Sequence, residues 1–236
     1  MVQRSVSERY LCKALHAVEH TEGTAVRYII MCGGNYRRWD TPRQLTRING
    51  EPIVARTIRL LRENGITDIA ISSKNAMFER FGVPVLQHEN KFDVFGHDNC
   101  SGVWVNGFYP TDEPTTYILG DVVFSPAAIR TIIDTGTDDI MFFASKPPFS
   151  PEYHKQWAEP FAFKVVNQKH FRQAIEETKR YDELKMFYRR PIAWELWQVI
   201  KGGDLNRIDW ESYVPINDYT CDIDSPEDVR LFNNID

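Results

Sequence analysis

Residues 28–45 read YIIMCGGNYRRWDTPRQL, and the fold turns on how that stretch is parsed. Its opening belongs to an apolar run, 26–32, broken only by Arg27. The run is rich in β-branched residues and too short for an ordinary helix, so it reads as a buried strand. It halts at Gly33-Gly34. Two glycines directly after a strand let the backbone turn sharply and leave its N–H groups uncovered for a phosphate-bearing ligand. Arg37, Arg38 and Arg43 follow in a segment punctuated by Trp39 and Pro42, and guanidinium groups bind phosphate oxygens in bidentate fashion. Strand, glycine turn and basic loop together describe a nucleoside triphosphate site. A glycine pair after a strand is common in any α/β protein, so the residues around it carry this reading.

Working outward, the 236 residues suffice for one sizeable α/β domain, and no break in composition argues for two. A net charge of -5 argues against a nucleic-acid surface, which needs a basic face. Cys12, Cys32, Cys100 and Cys221 show no C-x-x-C spacing, which excludes a zinc motif and a disulfide framework and fits reduced thiols. Cys32 and Cys221 lie in strand-like runs and should be buried. No apolar run is long enough to span a bilayer, and charged residues stand where a signal peptide needs its hydrophobic segment, so a cytoplasmic location is expected.

Ahead of the strand, residues 1–24 predict a helical extension. Ser5 to Glu8 forms a capping box, and Tyr10, Leu11, Ala14, Leu15 and Val18 share one face. That face packs on the protein's own core or, alternatively, on a second subunit in a homodimer. After the basic loop come a short turn at 47–52, a helix from Ile53 to Gly65 and a strand at 66–71. This strand-helix-strand unit implies a parallel crossover that puts the glycine loop at the carboxyl edge of the sheet, where ligands of open α/β sheets bind. A strand at 83–87 leads into a polar segment, 88–100, whose His88 and His97 have no partner spacing and read as surface groups. Residues 101–108 begin a helix. The apolar run 116–119 then delivers Gly120-Asp121 to the same edge, where an aspartate caps a turn or holds a metal ion.

Ser125-Pro126 starts a further helix, and 140–144 is another strand. Alternation in 159–165 predicts a strand with one exposed face, carrying Lys164. Helices at about 169–180 and 192–200 complete a lid spanning about 145–215, with Trp194 and Trp197 read as core and Arg189 and Arg190 just ahead of them. Near the end, Asp222 and Asp224 alternate on a strand and point the same way, while Ser225-Pro226-Glu227-Asp228 is a helix start.

Several of these blocks resemble one superfamily. Cys32-Gly33-Gly34-Asn35-Tyr36-Arg37-Arg38-Trp39 resembles the A-G-G-x-S-x-R-M loop of the nucleotidyltransferases that act in sugar-nucleotide and cofactor synthesis, among them cytidylyltransferases and molybdenum cofactor guanylyltransferase. Pro42-Arg43-Gln44-Leu45 is similar to their P-K-Q-[YL], and the ending D-I-D-S-P-E-D is similar to their D-[TS]-P-E-D-L. The resemblance implies a Rossmann-like three-layer α/β/α domain over 25–236 with a mostly parallel central sheet. It implies Arg38 and Arg43 as catalytic cations, with Cys32, Gly33, Gly34, Asn35, Ser101 and Gly120 around the nucleotide. Lys164, Arg189 and Arg190 are then candidates for the acceptor, and Asp121, Asp224 and Asp222 for Mg2+. The implied reaction moves a nucleotidyl group, CMP favoured, from CTP to a phosphorylated or phosphonate small molecule such as a sugar phosphate, releasing pyrophosphate. Tyr36 in place of a small hydroxyl residue and Arg43 in place of lysine depart from the pattern. Two alternatives remain: a glycosyltransferase using Asp222-Ile223-Asp224 as a D-x-D motif, and a nucleotide-binding module that has lost turnover.

Overall fold

The computed structural model describes residues 26–33, 39–88, 104–146, 155, 157–233 and 235. The predicted N-terminal extension, and Gly34, Asn35, Arg38 and Ser101, lie outside the described residues. The decisive strand is β1 (Arg27–Met31). It leads to a hairpin of β2 (Arg47–Ile48) and β3 (Glu51–Pro52), closed by Asn49 at φ 51° and Gly50 at φ 83°. An Asn-Gly pair tolerates the left-handed backbone that a tight hairpin turn requires. Helix α1 (Ile53–Glu63), then β4 (Ile69–Ser72) and β5 (Val85–Leu86), come after the hairpin. Next are β6 (Thr115–Leu119), β7 (Val122–Val123), α2 (Pro126–Asp134) and β8 (Ile140–Ala144). The chain ends with β9 (Pro160–Val165), α3 (Gln168–Glu183), α4 (Ala193–Lys201), β10 (Val214–Pro215) and β11 (Cys221–Asp222).

Seven strands form one sheet in the order β10-β8-β9-β6-β1-β4-β5. Every pairing is parallel except those of β9, which runs against both β6 and β8. Alternate residues of β1 face opposite sides, as pleating dictates. Tyr28 and Ile30, with Cys32 just beyond, join a core with Ile58 and Leu61 of α1 and Ile129 and Ile132 of α2. Ile29 and Met31 join another with Phe171 of α3 and Trp194 and Trp197 of α4. Helices therefore cover both faces, giving three α/β/α layers, and the two tryptophans are core as their spacing predicted. A third cluster, including Ile53, Val123, Cys221, Ile223 and Phe232, underlies the antiparallel ribbon of β7 and β11. Among the described residues no helix is long and apolar enough to cross a membrane.

Three expectations change. The segment 159–165 is an interior strand with both faces buried, Phe161 in one core and Phe163 in the other; its alternation reflects two packed layers and no solvent face. Of the helix expected at 101–108 the described part is a 3-10 turn, Trp104–Gly107. The helix start at Ser225 has its capping box, but the turns that it opens, Pro226–Phe232, are 3-10.

Candidate active site

Parallel pairing carries the ends of β1 and β6 to one edge of the sheet. Because β9 is reversed, its beginning reaches that edge as well. Gly33, Asp121 and Glu159 thus converge from three neighbouring strands, and the ribbon of β7 and β11 adds Asp222 and Asp224. Together they line a cavity of about 810 Å3. Arg189, Arg190, Ile192, Trp194, Ile208 and Trp210 also line it, as do Trp104 and Trp157. Seven of the predicted site residues meet here: Gly33, Arg43, Asp121, Arg189, Arg190, Asp222 and Asp224.

Two others lie beneath the lining. Cys32 is fully buried, and burial together with the nearby Asp121 pushes its thiol well above the usual range. Gly120 donates its N–H to the Met31 carbonyl at 3.1 Å, and a β-carbon there would stand 2.5 Å from that oxygen and 2.8 Å from Cys32 Sγ. Only glycine lets the chain leaving β6 lie this close to β1, so strand packing by itself requires glycine at 120.

Lys164 is a correction. Its ammonium donates to the Ile133 and Thr135 carbonyls at 2.9 and 2.6 Å, closing the C-terminal end of α2. Paired with Thr116 near the start of β6, it lies towards the sheet edge opposite the cavity, roughly 16 Å along the strand from Glu159 at about 3.3 Å per residue. The reversed direction of β9 turns it away from the cavity.

The charges at the cavity are densely paired. Arg43, on the 3-10 turn Arg43–Leu45, spans two carboxylates: one guanidinium nitrogen contacts Asp121 and another donates to Asp224 Oδ1 at 2.8 Å and to the Ile223 carbonyl at 3.3 Å. Lys155 donates to Asp222 Oδ1 at 2.8 Å and Asp224 Oδ2 at 2.9 Å, with Asp228 Oδ2 at 3.4 Å. Asp228 itself accepts from the backbone N–H of Asp224 and Ser225, fixing the loop that presents Asp224. Glu159 is 6% exposed, and its backbone is pinned by Ser145, whose N–H donates to the Glu159 carbonyl at 2.9 Å. Its Oε1 accepts no hydrogen bond among the described residues. Burial and the neighbouring Asp222 push the Glu159 carboxyl up to about 9. Burial and Asp224 push Asp222 up to about 7. Lys155 and Arg43 hold Asp224 below the usual carboxylate range against the opposing effect of burial.

Glu159, Asp222 and Asp224 can each place a carboxylate oxygen within 4.8 Å of the others. All-oxygen donors suit a hard divalent cation such as Mg2+, and the orphaned Glu159 Oε1 is a ligand atom in want of a partner. The donor set fits a metal. Asp121 stands outside this compact group, joined to Asp224 through Arg43. Arg189 is tied to the buried Glu195 at 2.6 Å, so the cavity lining has one anchored guanidinium beside Arg190.

Sequence reading missed Glu159 and Lys155. Glu159 had a usable signal, an acid set directly before a strand, but its direction of delivery depends on β9 being antiparallel. Lys155 sits in a proline- and aromatic-rich stretch without periodicity, and nothing local marks it.

The family model of the MobA-like NTP transferase domain matches residues 28–194. A comparison with curated proteins returned no match. Among solved structures, the inositol-1-phosphate CTP transferase from T. maritima is similar at a TM-score of 0.56 and 18% identity, covering 90% of this chain and 97% of that one. Rv0371c from Mycobacterium tuberculosis H37Rv is similar at 0.51 and 19%, covering 90% and 99%. The CTP:phosphocholine cytidylyltransferase from Streptococcus pneumoniae is similar at 0.50 and 16%, covering 89% and 99%. These likenesses show a shared fold.

Proposed function

The chain belongs to the MobA-like NTP transferase domain family, and from that premise we propose that it is a nucleotidyltransferase: an acceptor's phosphate or phosphonate oxygen attacks the α-phosphorus of a nucleoside triphosphate and pyrophosphate leaves. The observation that carries the reading is the meeting, in one cavity at the carboxyl edge of the sheet, of Gly33 just after β1, Arg43 and the carboxylates of Glu159, Asp222 and Asp224. Asp222, Asp224 and Glu159 would hold a divalent cation, Mg2+ in this reading, which supplies Lewis-acid polarisation of the phosphoryl oxygens. Gly33 leaves backbone room for the triphosphate, and Arg43 offers a fixed cation as negative charge grows on the leaving group. No side-chain nucleophile is required. Arg189 and Arg190 on the lining favour an anionic acceptor group, and the lining tryptophans suit an organic body such as that of a sugar phosphate. CTP is the preferred donor in this reading, supported by the P-R-Q-L and D-S-P-E-D blocks and by the CTP named for two of the similar structures.

The test is pyrophosphate release with each of the four nucleoside triphosphates, Mg2+ and a panel of phosphate monoesters and phosphonates. Release with CTP and one acceptor class supports the proposal. Binding of nucleotide with no release across the panel favours a module without turnover, and consumption of a nucleotide sugar favours the D-x-D glycosyltransferase.

A further inference from the structure

We propose that Lys155 is a built-in counter-cation of the metal pocket, occupying its carboxylates in the free enzyme so that a divalent ion binds tightly only together with the nucleotide. This rests on the metal-holding role given above to Glu159, Asp222 and Asp224. Two of those three carboxylates are bonded to the Lys155 ammonium, and the second oxygen of Asp224 is taken by Arg43. Those contacts place a cation against both oxygens of Asp224 and one of Asp222, where Mg2+ would need carboxylate oxygens at about 2.0–2.1 Å in near-octahedral array. The side chain of Lys155 is 10% exposed, so the ammonium is seated inside the pocket and is no solvated surface group. Glu159 Oε1, by contrast, is left without a donor among the described residues. The tether makes the ammonium a competitor that never diffuses away, and a metal entering alone must displace it and accept a second positive charge close by.

A triphosphate alters that balance. Its oxygens offer Lys155 another set of anionic acceptors, and an ammonium on a flexible stem can move to them where a planar guanidinium could not follow as easily. The carboxylates then pass to the metal. Binding of metal and nucleotide is thereby positively coupled, and the coupling must be reciprocal. The competing explanation is that Lys155 only neutralises Asp222, Asp224 and Asp228 so that the ribbon folds, and keeps its place when metal arrives.

The two are separated by metal affinity measured without turnover. Mn2+ serves as the probe, titrated by electron paramagnetic resonance into wild type, Lys155→Met and Lys155→Arg, alone and with a CTP analogue bearing an α,β-methylene bridge. Lys155→Met should bind Mn2+ more tightly than wild type in the absence of nucleotide, on the order of tenfold, and should lose most of the nucleotide-induced gain, as expected for a coupling of ordinary size. Lys155→Arg should stay weak. Unchanged or weaker binding in Lys155→Met, or tight binding in Lys155→Arg, overturns the proposal. If Lys155→Met folds only with metal present, release of its Mn2+ to a chelator replaces the titration; slower release than from wild type supports the proposal and equal or faster release overturns it. Pyrophosphate release by wild type is scored separately, so a chain without transfer activity would sink the reaction without deciding the role of Lys155.

Discussion

Arg43 shows how far a single substitution in a recognised pattern can be interpreted. The resembling loop has lysine there, and loss of function is one reading of the change. The geometry gives arginine a task that lysine cannot copy. One guanidinium reaches Asp121 with one nitrogen and Asp224 and the Ile223 carbonyl with another, a fork that a point charge on a single nitrogen does not reproduce. Asp121 comes first among the groups that raise the Arg43 pKa, so the cation is permanent at any working pH. Arg43→Lys should therefore lower kcat/KM by roughly tenfold despite conserving charge, and Arg43→Ala by on the order of a hundredfold, the scale for a lost electrostatic group at a reacting phosphate. Steady-state pyrophosphate release checks both. A gain of turnover in Arg43→Lys would mark arginine as a defect.

At the scale of elements, β9 decides what the sequence could and could not disclose. Strands β1, β4, β6 and β8 were legible because each is a short apolar run ending in a glycine, a polar turn or a charged group, and the parallel crossover from β1 to β4 followed from the helix between them. The pocket residues on or just after those strands, Gly33 and Asp121, were legible for the same reason, and the aspartates beside the Ser225 cap by their own pattern. Strand β9 also scored as a strand, but its direction is a property of long-range pairing with β6 and β8. A forward strand would place Lys164 near the cavity; the reversed one places Glu159 there and sends Lys164 to the end of α2. Lys164→Met keeps most of the stem's volume. It removes two hydrogen bonds to carbonyls, but it also removes a buried charge, whose desolvation is what lowers the Lys164 pKa to about 8. The net stability cost should be small, about 1 kcal/mol, with acceptor KM within about twofold of wild type. A large rise in KM would return Lys164 to the acceptor site.

For the whole molecule the crowded carboxylates make stability depend on pH in a direction opposite to that of an ordinary surface acid. Glu159 has a folded pKa of about 9 against an ordinary 4.5, and Asp222 about 7 against 3.8. Between those values the folded chain keeps protons that the unfolded chain has released, so stability contributed by these groups is greatest below their unfolded pKa and is lost as pH rises through the folded one. Asp224, depressed by Lys155 and Arg43, works the other way, but its window closes below the ordinary carboxylate pKa and leaves the neutral range to Glu159 and Asp222. With chelator present, the unfolding midpoint of wild type should therefore fall from about pH 5 to about pH 9 relative to that of Glu159→Gln, whose amide cannot ionise. A saturating divalent ion takes the place of the retained proton, because carboxylate ligands bind metal only when deprotonated. Added Mg2+ should flatten the difference and stabilise wild type more at about pH 8 than at about pH 6, while Glu159→Gln gains less at both. Parallel pH profiles for the two proteins, with or without metal, would remove Glu159 from the ligand set and leave Asp222 and Asp224 to be completed by another carboxylate at the same edge, for which Asp121 is the nearest candidate through Arg43.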